Sequence, residues 1–213
     1  MILFSSEVAA DKCCRKLDIG PTAMRVELLE CGKRSKKMDM YGVRADGCYV
    51  TSFGLNVKPT LLMGWGEGDL YALSLAMGWC VPVGESLIFT PNVGYSWSYL
   101  ETTIDIPLLQ LKDVENKFRA TAPLAGLDVI WNFLPCWRVY GSLQYGWSRS
   151  WTKIKDISTC HLNTKGPNYG LMLERDLNRK LSANIAFGYN RALSKERHGL
   201  KAKGIKLGLV YWF

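Results

Sequence analysis

Large apolar side chains recur at every second position along most of this chain, and from Tyr49 onward they fall on odd numbers. Successive side chains of a β-strand point to opposite faces of the sheet, so a period of two predicts strands with one apolar face each. A soluble antiparallel strand shows the same alternation, so the opposite face has to decide what the sheet packs against. The pattern predicts eight strands, at about 49–58, 71–81, 86–99, 122–133, 137–148, 168–174, 181–190 and 204–213.

The opposite face of these strands carries glycine, serine, alanine, asparagine and scattered charges. A soluble barrel of the lipocalin kind places its bulky apolar residues inside. Here the bulky residues form a face that only lipid would cover, as in transmembrane barrels. The sequence therefore predicts a transmembrane barrel. A soluble β-barrel is the alternative fold, and partition into the aqueous phase of a detergent extraction would identify it.

The connections between the predicted strands alternate in length. Tight turns are expected near 83–85, 134–136 and 178–179, and long connections at 58–69, 100–118, 152–165 and 192–204. Transmembrane barrels combine short periplasmic turns with longer outside loops, and their closure removes every sheet edge. We therefore predict an all-β fold, a closed antiparallel transmembrane β-barrel of about eight strands, with both ends of the barrel on the periplasmic side.

The last ten residues, 204–213, end the chain on Tyr-Trp-Phe with apolar residues at alternate positions. This stretch resembles the closing strand of bacterial outer-membrane β-barrels, and the predicted barrel resembles their small eight-stranded OmpA/OmpX-like type. The resemblance implies a location in the bacterial outer membrane. It also implies that barrel-insertion machinery is a partner, with Leu207, Leu209, Tyr211 and Phe213 as the membrane-insertion signal.

The first 47 residues lack a systematic alternation. Residues 1–10 resemble the tail of a signal peptide, or form a disordered N-terminus. Residues 11–47 are polar and charged and carry three cysteines, and we predict a cysteine-rich periplasmic segment there, followed by the barrel at 48–213. A ten-stranded barrel that uses residues 22–46 is the alternative, although the alternation is poorer in that stretch.

The chain is basic, with 27 Lys and Arg against 19 Asp and Glu and a formal net charge of +8. Basic chains commonly bind nucleic acid, but here the charges are scattered through predicted loops and the N-terminal segment. We therefore expect no nucleic-acid partner, and either contacts with anionic lipid or acidic glycans or simply solvated loops. No window of about 18 apolar residues occurs, so no transmembrane helix is expected.

Seven cysteines are many for a cytosolic protein of this size and indicate an oxidising compartment. No Cys-x-x-Cys pair or zinc-like spacing occurs, so we expect no metal site and no cofactor. The predicted topology places Cys160 outside and five others on or near the periplasmic side, with Cys80 close by and facing inward. The five are candidates for disulfides within the barrel or to other envelope proteins: Cys13, Cys14, Cys31, Cys48 and Cys136.

The cysteine content resembles that of the chlamydial outer membrane, where disulfides stiffen the envelope. Residues 23–26, 73–76 and 89–95 are loosely similar to the major porin family of those bacteria. That family has larger barrels, so the resemblance does not imply porin function.

Charges on the inward face of the predicted barrel require partners, because the interior of an eight-stranded barrel is just wide enough to be filled by side chains. Asp128, Arg138 and Glu174 fall on three consecutive predicted strands, each near the periplasmic end. We predict that they form an ionic plug across the lumen, which packs the interior or gates a narrow pore.

The only two histidines, His161 and His198, fall in predicted outside loops. Some eight-stranded barrels are enzymes that act on outer-leaflet lipid through His, Ser and Asp at the outer rim, and His161 lies near Asp156 and Ser158. A hydroxyl nucleophile with a histidine base is chemically feasible, but this spacing is not specific. We therefore expect solvated histidines and no catalytic residues, and substitution of His161 would test the alternative.

The fourth predicted outside loop concentrates five positive charges against one negative charge, Glu196. Such a loop suits lipopolysaccharide phosphates or sulfated host glycans, or is merely solvated. Its basic residues are Arg191, Lys195, Arg197, Lys201 and Lys203. The sequence thus favours an outer-membrane barrel with a structural or surface-interaction role. The alternatives are a small porin or transporter of small or hydrophobic solutes and a lipid-modifying enzyme.

Overall fold

The computed structural model describes the backbone of residues 15–106, 111–154 and 158–213, and the side chains of 15–103, 114–153 and 161–213. Eleven strands account for nearly all of these residues. They are β1 (Arg15–Glu30), β2 (Lys33–Val50), β3 (Leu55–Gly66), β4 (Gly68–Trp79), β5 (Val81–Val83), β6 (Leu87–Ile106), β7 (Leu111–Leu134), β8 (Trp137–Ile154), β9 (Ser158–Asp176), β10 (Leu181–Leu193) and β11 (Gly199–Trp212).

Each strand pairs antiparallel with its neighbours in sequence, and β1 pairs with β11 from Lys16–Trp212 to Leu29–Gly199, which closes the barrel. β4 and β5 both pair with β6 and form two parts of one barrel strand. The barrel therefore has ten strands rather than eight. The ten-stranded alternative is the correct one, and residues 15–47, which we predicted as part of a periplasmic segment, form β1 and most of β2.

The connections between the strands agree with the predicted tight turns but are shorter than the predicted long loops. Tight turns follow β5, β7 and β9 as expected, at residues 84–86, 135–136 and 177–180. The expected long connections are mostly strand: 58–69 contains a single residue between β3 and β4, and 192–204 contains a five-residue turn at 194–198. Both described ends of the chain lie at the same end of the barrel, where Phe213 N donates to Arg15 O.

Odd-numbered side chains face outward over the central band of the barrel, as the alternation predicted. Outward-facing aromatic side chains form two belts, one near the termini that includes Trp79, Trp131, Trp137 and Tyr211, and one toward the other end that includes Tyr71, Trp97, Trp147 and Tyr169. Between the belts this face is mostly aliphatic, with Leu73, Leu75, Leu171 and Leu209 all exposed. Trp137 and Trp147 on β8 belong to different belts and lie ten positions apart, which is about 33 Å along a strand and about 24 Å at a tilt near 45°. That height matches the apolar band of a transmembrane barrel. The described residues include no helix able to cross a membrane.

The alternation reverses where the strands continue beyond the belt that contains Trp147. On β2, Met38 and Met40 are buried inside while Lys37 and Asp39 face outward. On β11, Lys201 and Lys203 replace the outward leucines of the central band. A strand in lipid turns its apolar side chains outward, whereas a strand in water turns them inward. The barrel therefore has a lipid-facing part and an extramembrane part, and this reversal made the alternation of residues 22–46 look poor.

Candidate functional site

Two apolar clusters fill the two ends of the barrel interior. At the end with the termini, Val50 and Ile88 are buried and contact Cys48, Cys80 and Trp212. In the extramembrane part, the second cluster is larger and tightly packed, because its four central residues are at most 1% exposed. They are Val26, Met38, Met40 and Leu100, with Met24, Leu28, Leu70, Phe118, Leu200 and Ala202 packed around them.

The barrel wall around the extramembrane cluster is shortest at β3 and β4, and a lysine covers the cluster on that side. β3 ends at Gly66 and β4 begins at Gly68, so this hairpin is short and β2 and β6 face each other across the gap beyond it. Lys36 on β2 spans the gap and donates to the Thr102 hydroxyl at 3.1 Å and to the Thr103 carbonyl. The lysine thus joins the two strands directly above the buried methionines.

An ionic layer lies next to the cluster at the terminal end. Glu174 is fully buried and accepts a hydrogen bond from Lys16 at 2.8 Å. Arg138 lies 3.5 Å from the other oxygen of Glu174 and also pairs with Asp176. The Trp212 ring packs against both cations, at 5.0 Å from Lys16 Nζ and 4.3 Å from Arg138 Cζ. Two cations and two carboxylates therefore neutralise one another inside the barrel.

A second ionic layer is centred on Lys206, which is almost completely buried on β11. Its ammonium group lies 2.8 Å from Asp18 and 2.8 Å from Asp46. Arg44 also donates to Asp46, from two nitrogens. Gly208 leaves the room for this cluster, because a Cβ at that position would lie 2.3 Å from Asp18 Oδ1.

A third group of polar side chains lies across the lumen from Lys206. Lys58 on β3 pairs with Asp128 on β7, and Asn92 donates to the same carboxylate at 2.9 Å. Gln144 and Asn168 continue this chain of hydrogen bonds at 3.2 and 3.3 Å. The network therefore reaches from β3 to β9 through the middle of the barrel.

The three groups together contain equal numbers of opposite charges. The cations are Lys16, Arg44, Lys58, Arg138 and Lys206, and the carboxylates are Asp18, Asp46, Asp128, Glu174 and Asp176. Burying a charge is costly unless it is paired, and breaking a buried pair costs more than the pair contributes. The arrangement is a charge-balanced network between two apolar seals.

The predicted plug residues are divided between two of these groups. Arg138 lies 3.5 Å from Glu174, whereas Asp128 pairs with Lys58 and forms no ion pair with Arg138 in the described part of the chain. Sequence analysis missed most of the other members, although their even positions in alternating strands were the available signal. They are Lys16, Asp18, Arg44, Asp46, Lys58, Asp176 and Lys206.

The predicted basic loop is a rim built from two strands and a turn. Arg191 lies on β10, Lys195 and Arg197 lie in the turn, and Lys201 and Lys203 lie on β11. The neighbouring strand adds an ion pair, because Arg25 donates to Asp39 at 2.6 and 3.1 Å. This hydrogen bonding from Arg25, and secondarily from Lys37, lowers the pKa of the Asp39 carboxyl.

The structure corrects the predicted position of one cysteine and does not describe the side chains of three others. Cys31 lies in the turn between β1 and β2, at the end of the barrel opposite the termini, and not at the end with Cys136 as predicted. Cys48 lies inside the barrel, 3.4 Å from Asn56 Oδ1. The cysteine side chains that the structure describes form no disulfide. Cys13 and Cys14 lie outside the described residues, as do residues 1–10 and the side chain of Cys160.

The two histidines lie apart. His161 contacts the edge of Trp151, with ring centroids 6.2 Å apart, and Asp156 and Ser158, its predicted neighbours, lie outside the described side chains. His198 Nε2 lies 3.5 Å from the exposed Cys31 thiol and 3.7 Å from Glu196. Over the described part of the chain, no three His, Cys, Asp or Glu side chains are grouped to hold a metal ion.

The proposed insertion residues share one face of the closing strand. Leu207, Leu209, Tyr211 and Phe213 are all exposed on the outward side of β11 and its end. Tyr211 and Phe213 contact each other edge to face, with centroids 5.2 Å apart. These four residues therefore present a continuous apolar stripe to lipid.

Known proteins resemble this chain in fold but not in sequence. No protein-family model and no curated protein matches it. The translocator domain of the autotransporter NalP from Neisseria meningitidis aligns with a TM-score of 0.54 at 15% identity, covering 98% of this chain and 92% of that domain. The β domain of the Bordetella autotransporter BrkA aligns at 0.54 and 12% identity, covering 93% and 99%.

The outer-membrane protease OmpT from Escherichia coli aligns with a TM-score of 0.52 at 10% identity, covering 93% of this chain and 96% of the protease. These three proteins differ in role, so their shared architecture carries no single activity to this chain. The chain has the closed antiparallel barrel fold of bacterial outer-membrane proteins.

Proposed function

We propose that this protein is a non-conducting barrel of the bacterial outer membrane with a structural or surface-interaction role. In this proposal the termini face the periplasm, and the extramembrane part with its basic rim faces the outside. The rim meets acidic glycans or lipopolysaccharide phosphates, and the barrel-insertion machinery recognises β11.

The buried ion pairs and apolar clusters inside the barrel are the observation that supports this proposal best. A pore needs a continuous path for water, whereas here Glu174 is fully buried between two cations. Met38 and Met40 are equally buried in the extramembrane cluster. An ion that crossed the barrel would have to displace both an apolar seal and paired charges, and both steps are costly.

Ion conductance in a planar bilayer tests this proposal. We expect no stepwise currents from the refolded protein at high salt, after flotation with vesicles and a heat-dependent shift in gel mobility have shown that it is inserted and folded. Steady stepwise currents from such protein would contradict the proposal and favour a small pore.

The small pore is the second candidate, because the centre of the lumen is polar. Beside Asp128 the lumen contains a row of hydrogen-bonded amide side chains, from Asn92, Gln144 and Asn168. Ten strands also enclose a wider lumen than eight. If this candidate is correct, substitution Asp128→Asn should change the ion selectivity of the current.

The proposed orientation is tested by the two exposed cysteines at opposite ends of the barrel, Cys31 and Cys136. In two variants, Cys31 or Cys136 is the sole cysteine of the chain. A membrane-impermeant maleimide added to reduced intact cells should label the Cys31 variant and leave the Cys136 variant unlabelled. Labelling of Cys136 alone would show the reverse orientation. If the proposed orientation holds, disulfides to periplasmic proteins would use Cys136 and not Cys31.

We further propose that the protein is not an enzyme, although the Cys31–His198 contact is the described pair that most resembles a nucleophile with its base. Incubation with outer-leaflet lipid should leave the lipid unchanged. A turnover that disappears in both Cys31→Ser and His198→Gln would contradict this.

A further inference from the structure

A groove on the outward face of β6, β7 and β8 combines aromatic and basic side chains. It has a volume of about 600 Å³ and is lined by Trp97, Lys117, Arg119, Thr121, Trp151 and Lys153. All six have odd numbers and therefore face away from the lumen. The groove is separate from the basic rim on β10 and β11.

Strand register places the groove residues in neighbouring rows across the sheet. Arg119 lies between Tyr99 on β6 and Trp151 on β8, and its guanidinium is 5.5 Å from the centre of the Tyr99 ring. In the adjacent row Lys117 lies directly opposite Lys153. Like charges directly opposite each other on a sheet are destabilising, so this pairing favours an anion between them.

The local charges leave positive groups to spare. Lys117 is 2.5 Å from Glu115 and 3.7 Å from Glu101. Arg119, Lys153 and the adjacent Arg149 are exposed and form no ion pair with a carboxylate in the described part of the chain. Among the described side chains that line the groove or pair beside it, four cations face two carboxylates, so the groove suits a negatively charged group such as a phosphate monoester.

The position of the groove along the strands specifies a lipid. It begins at Trp97, in the aromatic belt, and continues into the extramembrane part where Lys and Arg replace the outward aliphatic residues. Below it the wall is apolar and exposed, with Val93 and Leu143 exposed by 61% and 53%. A headgroup at the level of the cations would therefore have its acyl chains against this wall, whereas a soluble phosphate would leave the wall unused.

We propose that this groove binds the phosphorylated headgroup of an outer-leaflet lipid, a diphosphoryl lipid A in chemical class. Arg119 and Lys153 contact the phosphate, Trp97 and Trp151 flank the sugar, and the acyl chains lie along the wall below. The proposal rests on the orientation given under the proposed function, which sets this end of the barrel in the outer leaflet.

Native mass spectrometry of the full chain in detergent micelles, titrated with hexa-acyl diphosphoryl lipid A, tests the site. Arg119→Gln/Lys153→Gln should weaken binding at least tenfold, because two charge-assisted contacts to phosphate are lost. The matched control Arg179→Gln/Lys180→Gln removes the same charge from the exposed turn between β9 and β10, at the opposite end of the barrel, and should bind as the wild type does. Inorganic phosphate at millimolar concentration should not displace the lipid.

Three outcomes would overturn the site: equal affinity of the two double variants, equal binding of dephosphorylated lipid A, or displacement by inorganic phosphate. Flotation of the wild-type protein with phosphatidylcholine vesicles separates this failure from failure of the proposed function. Protein that does not float would overturn the membrane placement and the site with it. Protein that floats but does not discriminate between the lipids would overturn the site alone.

Discussion

Lys206→Met should destabilise the barrel by about 3–5 kcal/mol, the cost of leaving buried charge without its partner. Lys206 is 5% exposed in its side chain and lies 2.8 Å from two carboxylates. Asp46 would retain Arg44 as a direct partner, whereas the amide of Asn184 would be the remaining hydrogen-bond donor to Asp18 among the described side chains. Urea unfolding from lipid vesicles, followed by tryptophan fluorescence, measures the loss as a lower midpoint.

The control for this change is Lys203→Met on the same strand. Lys203 faces outward in the extramembrane part, so its loss changes net charge equally without exposing a buried carboxylate. Adding Asp18→Asn to Lys206→Met should restore part of the stability, because the unpaired charge is then removed. Equal midpoints for Lys206→Met and Lys203→Met would show that the buried charges do not depend on Lys206.

The fold was predicted correctly from sequence where each face of a strand keeps one environment, lipid or lumen, along the predicted length. From Tyr49 onward, within the lipid-facing part of each strand, the odd positions carry the apolar side chains and the even positions face the lumen, so the period of two is clear in most strands. β1 and β2 cross from lipid into water within single strands, and the apolar face changes side near Tyr41. A prediction that expects the apolar side chains on one face along the whole strand misses such strands, so the alternation predicted eight strands and not ten.

The same reversal explains the overestimated loops. β7 runs from Leu111 to Leu134, and ten of its residues precede Thr121, where the lipid-facing part starts. Outside the membrane its outward side chains are charged, with Glu115, Lys117 and Arg119. A charged stretch reads as a loop in sequence, although β6 and β8 supply backbone partners on both sides.

The ionic network shows what alternation cannot supply. Even positions identified Arg138 and Glu174 as inward-facing, and these residues do meet. The partner of Asp128 is Lys58, which is three barrel strands away along the chain but lies across the lumen. Pairing across a closed barrel depends on the strand number and stagger, which two uncounted strands had changed.

A double-mutant cycle on Lys16 and Glu174 should reveal strong coupling inside the barrel. Glu174→Gln alone removes the buried carboxylate that lies 2.8 Å from Lys16 and 3.5 Å from Arg138, which keeps its pair with Asp176, so we expect a loss of about 3–5 kcal/mol. Lys16→Met alone leaves a fully buried Glu174 with Arg138 at 3.5 Å. The double variant removes one charge of each sign and keeps the network balanced.

The double variant should therefore lose less stability than the sum of the single losses, by as much as about 3 kcal/mol, the upper range for contacting residues. Glu196→Gln is the control for Glu174→Gln, because its side chain is 83% exposed in a turn and its loss should leave the urea midpoint unchanged. Additive losses would mean that the two side chains do not depend on each other. The lumen would then be held closed by its apolar ends alone. In a charge-balanced plug, each buried ion destabilises the barrel when its partner is removed and does so much less when both ions are removed together.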